Sequence, residues 1–207
     1  MFTGIVTAIG DIVAITPLGQ DQRYGKRLRI TTPAHYLDGV AIGDSIAING
    51  ACMTVVVLDP QAPSFEVEVS DESLSRTAGL DRPGPVNLEL AMRADDRLGG
   101  HMVAGHVDGI GTVSRFDLVG ESRRLELLAP QALARFVAVK GSIVVNGVSL
   151  TVNRLSDETN GCRLEINLIP HTLQTTTLGA IEVGAAVNLE ADLVARYVER
   201  LLTAPRS

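Results

Sequence analysis

The chain has 207 residues, 45% hydrophobic and only 3% aromatic, with no Trp and a formal net charge of −6; a globular protein is expected, and this balance argues against a nucleic-acid partner, because a phosphate backbone calls for Lys and Arg and single strands call for stacking rings. No apolar run approaches ~18 residues, so no membrane span is expected, and MFTGIVTAIG lacks the basic start and long apolar core of a signal peptide. Cys52 and Cys162 read as free thiols of a reducing, cytoplasmic compartment rather than as a disulfide framework.

In chain order, the first hundred residues read as strands. Val, Ile, Leu and Thr come in short runs broken by Gly, Pro, Asn and Asp. A loop is expected around residues 20–26. Pro33 is placed to open a short helix, since Pro suits the first helical turn. Asn49-Gly50, between two apolar alternations, predicts a two-residue hairpin turn with positive φ at both positions. That turn sets Ile48 opposite Ala51, Ala47 opposite Cys52, Ile46 opposite Met53 and Ser45 opposite Thr54. Ser45, Ala47, Cys52 and Thr54 then share one face, while Ile46, Ile48, Ala51, Met53 and Val55 form the core face. The first face is either a binding patch of small polar groups or a solvated surface. A charged, Gly-ended stretch at residues 93–100 closes the half.

From His101 the chain repeats itself. GDSIAINGACMTV at residues 43–55 returns as KGSIVVNGVSLTV at residues 140–152, so that Ser45, Asn49, Cys52 and Thr54 become Ser142, Asn146, Ser149 and Thr151, 97 residues on. Pro33 returns as Pro130, a second helix opener. Val86-Asn87-Leu88-Glu89 returns as Val187-Asn188-Leu189-Glu190, and Thr3-Gly4-Ile5-Val6 as Ala104-Gly105-His106-Val107, both 101 on. The drift in offset fits small differences in loop length.

About six short strands per copy suggest a small antiparallel barrel. The expected fold class is therefore all-β: two similar six-stranded antiparallel β-barrels in tandem, with short helices. Residues 1–100 form the first domain and 101–191 the second. Residues 192–207 differ. Leu193, Val194, Tyr197, Val198, Leu201 and Leu202 recur at helical spacing, predicting an amphipathic C-terminal helix of about three turns with no first-half counterpart. Such a helix docks on its own barrels or meets copies of itself. Two similar halves suit the binding of two similar molecules.

Five segments together resemble riboflavin synthase of the α-chain type: MFTGIV at the start, the NGACMTV and NGVSLTV pair, GGHMVAGHVDG at residues 99–109, LIPHTLQTTTLG at 168–179 and VNLEADLVARYVERLL at 187–202. The match keeps order and spacing from Met1 to Leu202. The resemblance implies a homotrimer held partly by the C-terminal helices, with each site between the first barrel of one chain and the second barrel of a neighbour. It implies a transferase. Two molecules of 6,7-dimethyl-8-ribityllumazine exchange a four-carbon unit, giving riboflavin and 5-amino-6-ribitylamino-2,4-pyrimidinedione, with no metal or organic cofactor. Association with lumazine synthase is a further expectation of the resemblance. Holding two reactants in register is worth effective molarities of about 10^5–10^8 M, or roughly 7–11 kcal/mol of barrier.

Cys52 is the most informative matched position, because its repeat partner is Ser149. By itself it reads as a small buried thiol. The resemblance makes it a group that adds to the acceptor lumazine or orients a nucleophilic water. Ser45, Ser149 and Thr151 match hydroxyl positions expected in catalysis, with Thr54 beside them. His106, standing where the first copy has Ile5, is a candidate acid or base, or a structural hydrogen-bonding residue. Asp192 matches a catalytic position and equally reads as a helix N-terminal residue favoured by the dipole.

Gly4, Ile5 and Val6, like Gly105, His106 and Val107, match backbone segments that lie against the flat ring, with Gly permitting close approach. Met53, Leu150 and Lys140 extend the expected substrate contacts. So do Glu68, Val69, Ser70, Asp71, Glu72 and Ser73 in the first half, and Leu168, Ile169, Pro170, His171, Thr172 and Leu173 in the second. His101 and His106 are five apart without a Cys or His cluster, poor zinc spacing, so no metal site is expected. His35 and His171 are expected at the surface or lining a pocket, and Cys162 in the core. The competing readings are a non-catalytic lumazine or flavin carrier on the same scaffold, and a flavin-dependent reductase. The reductase needs a Gly-rich βαβ unit that no segment offers.

Overall fold

The computed structural model describes residues 1–20, 24–59 and 61–204, so the loop expected at residues 20–26 lies partly outside the described residues. Among the described residues the strands close into two six-stranded antiparallel barrels. The first takes β1 (Ala8–Pro17), β2 (Lys26–Thr31), β3 (Ser45–Ile48), β4 (Ala51–Asp59), β5 (Ser64–Val69) and β6 (Gly84–Leu90), in the order β1-β2-β5-β4-β3-β6. The second takes β7 (Gly109–Val119), β8 (Ser122–Pro130), β9 (Ser142–Val145), β10 (Val148–Glu158), β11 (Gly161–Leu168) and β12 (Ala186–Ala191) in the equivalent order. Closure leaves no unpaired sheet edge. Alternation fills each barrel: Leu28, Ile30, Val55, Phe65 and Val67 point into the first, and Leu125, Leu127, Ile143, Leu164 and Ile166 into the second.

Both Asn-Gly turns form as expected. Asn49 and Gly50 have φ of 47° and 83°, and Asn146 and Gly147 have 46° and 83°. Ser45 faces Thr54, Ile46 Met53, Ala47 Cys52 and Ile48 Ala51. The second hairpin repeats the pairing from Ser142–Thr151 to Val145–Val148. Register shifts also recur, between Ile12 and Ala14 and between Val113 and Arg115, adding twist where the strands must curl.

The hairpin tips abut. A methyl group on Gly50 would lie 2.8 Å from the Gly147 nitrogen. Around them Asn87 donates its side-chain N–H to the Asn146 carbonyl at 2.8 Å, and Asn188 donates to the Asn49 carbonyl at 3.0 Å. The barrels are thus related by a local twofold through the two turns. The outer hairpin face left open between binding patch and solvated surface is partly neither: Ala47 and Val144 are buried between the barrels with Phe2 and Val103.

One helical expectation changes. Pro33 opens turns at residues 34–39, not a helix, because His35 (φ 66°) and Gly39 (φ 82°) leave the right-handed region. Pro130 ends β8 and, as expected, opens a short helix of a single turn, α1 (Gln131–Ala134). Two short helices that were not expected, α2 (Asp71–Arg76) and α3 (Pro170–Thr175), follow β5 and β11. Ser70 caps the first through the Ser73 N–H, and Pro170 stands in the first turn of the other. The C-terminal helix α4 (Leu193–Thr203) forms as predicted. It lies on the second barrel through ion pairs of Arg196 with Asp108 and of Arg135 with Glu199. No helix among the described residues is long and apolar enough to cross a membrane.

Candidate active site

Each barrel is roofed by a strap from the other half. Residues 3–6 leave the first half and lie on the second barrel, where Ser149 donates its N–H to the Gly4 carbonyl at 2.7 Å and Val6 packs against that barrel's core. Residues 104–107 do the converse: Cys52 donates to the Gly105 carbonyl at 2.8 Å and Val107 packs against the first core. The approach demands glycine. Gly4 and Gly105 have φ of 76° and 78°, and a methyl group on them would lie 2.6 Å from the Ser149 Cβ and 2.7 Å from the Cys52 Cβ.

The first seat is a cavity of about 260 Å³. Cys52, with Ala51 and Met53, forms one wall; His106, with Gly105 and Val107, forms another. Glu72, Ser73, Arg76 and Thr77 on and after α2 close the third side. Cys52 is half-buried and His106 exposed, and both line this cavity. Ser45 and Thr54 pair one step further along the hairpin and are not among the lining residues. The expected run of six splits by strand alternation: Val69 is buried in the core while Glu68 points out and pairs with Arg27. Ser70 is used as the cap of α2, and Asp71 stands exposed in its first turn.

The second seat is centred on Ser149, the counterpart of Cys52 beneath the other strap. His101 shares a hydrogen bond with the Ser149 hydroxyl, Nδ1 to Oγ 2.7 Å. Burial holds this imidazole below its usual pKa, while the Asp192 carboxylate acts in the opposite direction. The His101 Nε2 is buried and finds no partner among the described residues. Asp192 itself caps α4, accepting from the Val194 N–H at 2.9 Å. Ile5 and Ile169 are exposed, as are His171 and Thr151; Thr172 is half-buried. Leu168 lies in the second core, and Leu150 and Leu173 pack against it. Pro170 serves α3. Lys140 stands with φ 67° where the first copy has Gly43, and its Nζ donates to Asn153 at 3.0 Å.

Three groups beside these seats escaped the sequence reading. His101 was given no role, although the two glycines before it let the chain pass tightly at Ser149: a methyl group on Gly100 would lie 2.8 Å from the Ser149 Cβ. The other two are Glu89 and Glu190, the last letter of the repeated VNLE block. Glu89 accepts from the Thr3 N–H and hydroxyl, both at 2.7 Å, and from the Gly4 N–H at 3.0 Å. Glu190 accepts from Ala104 at 2.7 Å and Gly105 at 3.0 Å. Burial raises both carboxyls, Glu190 to about 7, where Asp108 adds to the rise and Arg196 opposes it. The arrangement offers a thiol and an imidazole lining one cavity and a hydroxyl–imidazole pair at the other seat, groups suited to addition and proton exchange.

The lumazine binding domain family matches residues 3–91 and again residues 104–192. Among curated proteins, the chain is 44% identical over 210 residues to riboflavin synthase of Mycobacterium bovis, covering 98% of each. It is 42% identical over 206 residues to riboflavin synthase of Photobacterium phosphoreum, covering 98% of this chain and 89% of that protein. Among solved structures it resembles LumP complexed with riboflavin, with a TM-score of 0.80 and 27% identity, over 92% of this chain and 99% of that one. LumP complexed with 6,7-dimethyl-8-(1'-D-ribityl) lumazine gives a TM-score of 0.78 and 26% identity, with the same coverage.

Proposed function

Because the chain belongs to the riboflavin synthase family, we propose that it is a transferase converting two molecules of 6,7-dimethyl-8-ribityllumazine into riboflavin and 5-amino-6-ribitylamino-2,4-pyrimidinedione. The four carbons lost by one lumazine are those gained by the other, so the atoms balance without oxidant or cofactor. The observation that carries this reading is the pair of equivalent seats, each a hairpin face roofed by the other half's glycine strap. One substrate occupies each kind of seat. At the Cys52 seat the thiol, or a water it orients, adds to the acceptor ring, with His106 exchanging protons. At the Ser149 seat the uncharged His101, through its hydrogen bond to Ser149, takes part in removing the acidic methyl proton, and Asp192 sets the charge around it. Strap N–H and C=O groups other than those taken by Glu89, Glu190, Cys52 and Ser149, with the nearby hydroxyls, hold the ring edges as charge spreads into the carbonyls. Proximity supplies much of the acceleration.

Within one chain the packed cluster of Phe2, Ala47, Val103 and Val144 lies between the barrels, which supports a reading in which the two substrates meet between chains. A trimer accounts for that and for α4, whose Leu201 and Leu202 are 79% and 81% exposed. The free thiols of Cys52 and Cys162 fit a cytoplasmic enzyme. The test is to mix the purified protein with the lumazine and no additive. Growth of riboflavin absorbance with loss of lumazine supports the enzyme. Stable binding without conversion supports a second reading, a lumazine or flavin carrier, which the likeness to the LumP complexes favours.

A further inference from the structure

We propose that Glu190 and Glu89 are positioning residues, each setting the strap that roofs the opposite barrel: Glu190 holds residues 104–107 over Cys52, and Glu89 holds residues 3–6 over Ser149. The inference rests on the two seats described above. Glu190 stands on β12, its backbone fixed by pairing with Val144 of β9. Its two oxygens take the N–H groups of two consecutive residues, Ala104 and Gly105. The next residue is His106, which lines the same cavity as Cys52, and the Gly105 carbonyl in turn accepts the Cys52 N–H. One carboxylate therefore sets where the imidazole lies relative to the thiol.

The chemistry of the latch is specific. An ionised carboxylate is acceptor-only at both oxygens, whereas an amide of the same shape must aim a donor at one of the two N–H groups. Glu89 repeats the device at Thr3 and Gly4 but gathers a third donor, the Thr3 hydroxyl, where the second copy has Ala104. Glu190 has two donors and faces Asp108 before β7 and Arg196 on α4. The strap over Cys52 is thus the more weakly held of the two.

The test is the rate of Cys52 alkylation by iodoacetamide in the full-length protein at one fixed pH of about 9, where a carboxyl raised to about 7 is ionised, read by mass spectrometry. Cys162, fully buried, is the silent internal thiol. Glu190→Gln is expected to raise the Cys52 rate about tenfold by loosening the strap, and Glu190→Asp to give an intermediate value. Glu89→Gln, acting at the other seat, should leave the rate within about twofold of the unaltered chain. An unchanged rate in Glu190→Gln, or an equal rise in both Gln variants, overturns the proposal. If Glu190→Gln does not fold, hydrogen exchange in the unaltered protein decides. Protected amides at Ala104 and Gly105 support the latch, and exchange at the rate of free loop amides overturns it. These readouts use no lumazine, so a protein inert toward lumazine refutes the proposed reaction without touching the latch. With lumazine, Glu190→Gln should lower kcat at the Cys52 seat more than it raises KM, a split that a general loss of folded protein does not produce.

Discussion

Cys52 donates its backbone N–H to the carbonyl of Gly105 at 2.8 Å, so the residue at the centre of the first seat is held by the other half of the chain. Ser149 and Gly4 repeat the relationship at 2.7 Å in the opposite sense. The exchange makes Gly105 a point where fold and site stand or fall together.

Gly105→Ala should therefore cost about 1–3 kcal/mol of stability, since it adds a left-handed penalty to a methyl group placed against Cys52. Gly120→Ala is the control: its φ is 62° but nothing lies within 4 Å, so only the backbone penalty of about 1–2 kcal/mol applies. Thermal denaturation of both variants checks the ordering, and a Gly105 variant no worse than the Gly120 variant refutes it.

Cys52→Ser keeps the size of the group and removes its nucleophilicity. Turnover should fall by about tenfold or more while lumazine affinity changes by less than about threefold. Steady-state kinetics with a separate binding titration measures both. An unchanged kcat removes Cys52 from the chemistry.

Ser149 and His101 share one hydrogen bond at 2.7 Å and should act as a unit. Ser149→Ala and His101→Asn are each expected to lower kcat, and the double variant to fall short of their product by about 1 kcal/mol of coupling. Additive effects in the double-mutant cycle would separate the two residues.

Glu190 predicts a pH effect with a definite sign. Its carboxyl is raised from the usual 4.5 to about 7 by burial, against the N–H groups of Ala104 and Gly105, with Asp108 adding to the rise and Arg196 opposing it. Between those values the folded protein keeps a proton that the unfolded chain has released, so the stability from this group is full below 4.5 and lost as pH rises through 7. The melting temperature of the unaltered protein minus that of Glu190→Gln should therefore fall between about pH 5 and about pH 8. A difference that is flat or rises across this window contradicts the assignment.

Leu201 and Leu202 sit in the last turn of α4 and are exposed. Replacing both by Glu places two charges in the apolar stripe and should dissociate the proposed trimer, since a charge buried without a partner costs several kcal/mol. Sedimentation velocity reads the result. A variant that sediments like the unaltered chain excludes this stripe from the assembly.

Most of the barrel architecture was legible because it follows from local rules. Asn49-Gly50 and Asn146-Gly147 dictate turn type, turn type dictates register, and register decides that Ile46 and Met53 are core. The repeat then carried each assignment to the second half. What stayed illegible depends on packing between distant segments. Ala47 reads as part of an outer face because nothing local says that Phe2 and Val103 will cover it. His101 was silent because its partner Ser149 lies 48 positions away. Pro33 misled because the positive φ of His35 is a property of the loop, not of the proline rule. Glu89 and Glu190 were visible as repeated letters, but an acidic residue closing a strand reads as solvated until its backbone donors are known.

The crossed straps also bear on how such a chain arises. One repeat carries a strap and a seat but does not roof its own seat, so two identical copies would have to trade their first residues to complete each other, reproducing the local twofold seen around Gly50 and Gly147. The duplicated chain is that pair tied end to start by residues 93–100. The tie released the two halves from identity. Cys52 and Ser149, or Ile5 and His106, can differ because a change in one half alters one seat and spares the other, which a pair of separate identical chains can never do.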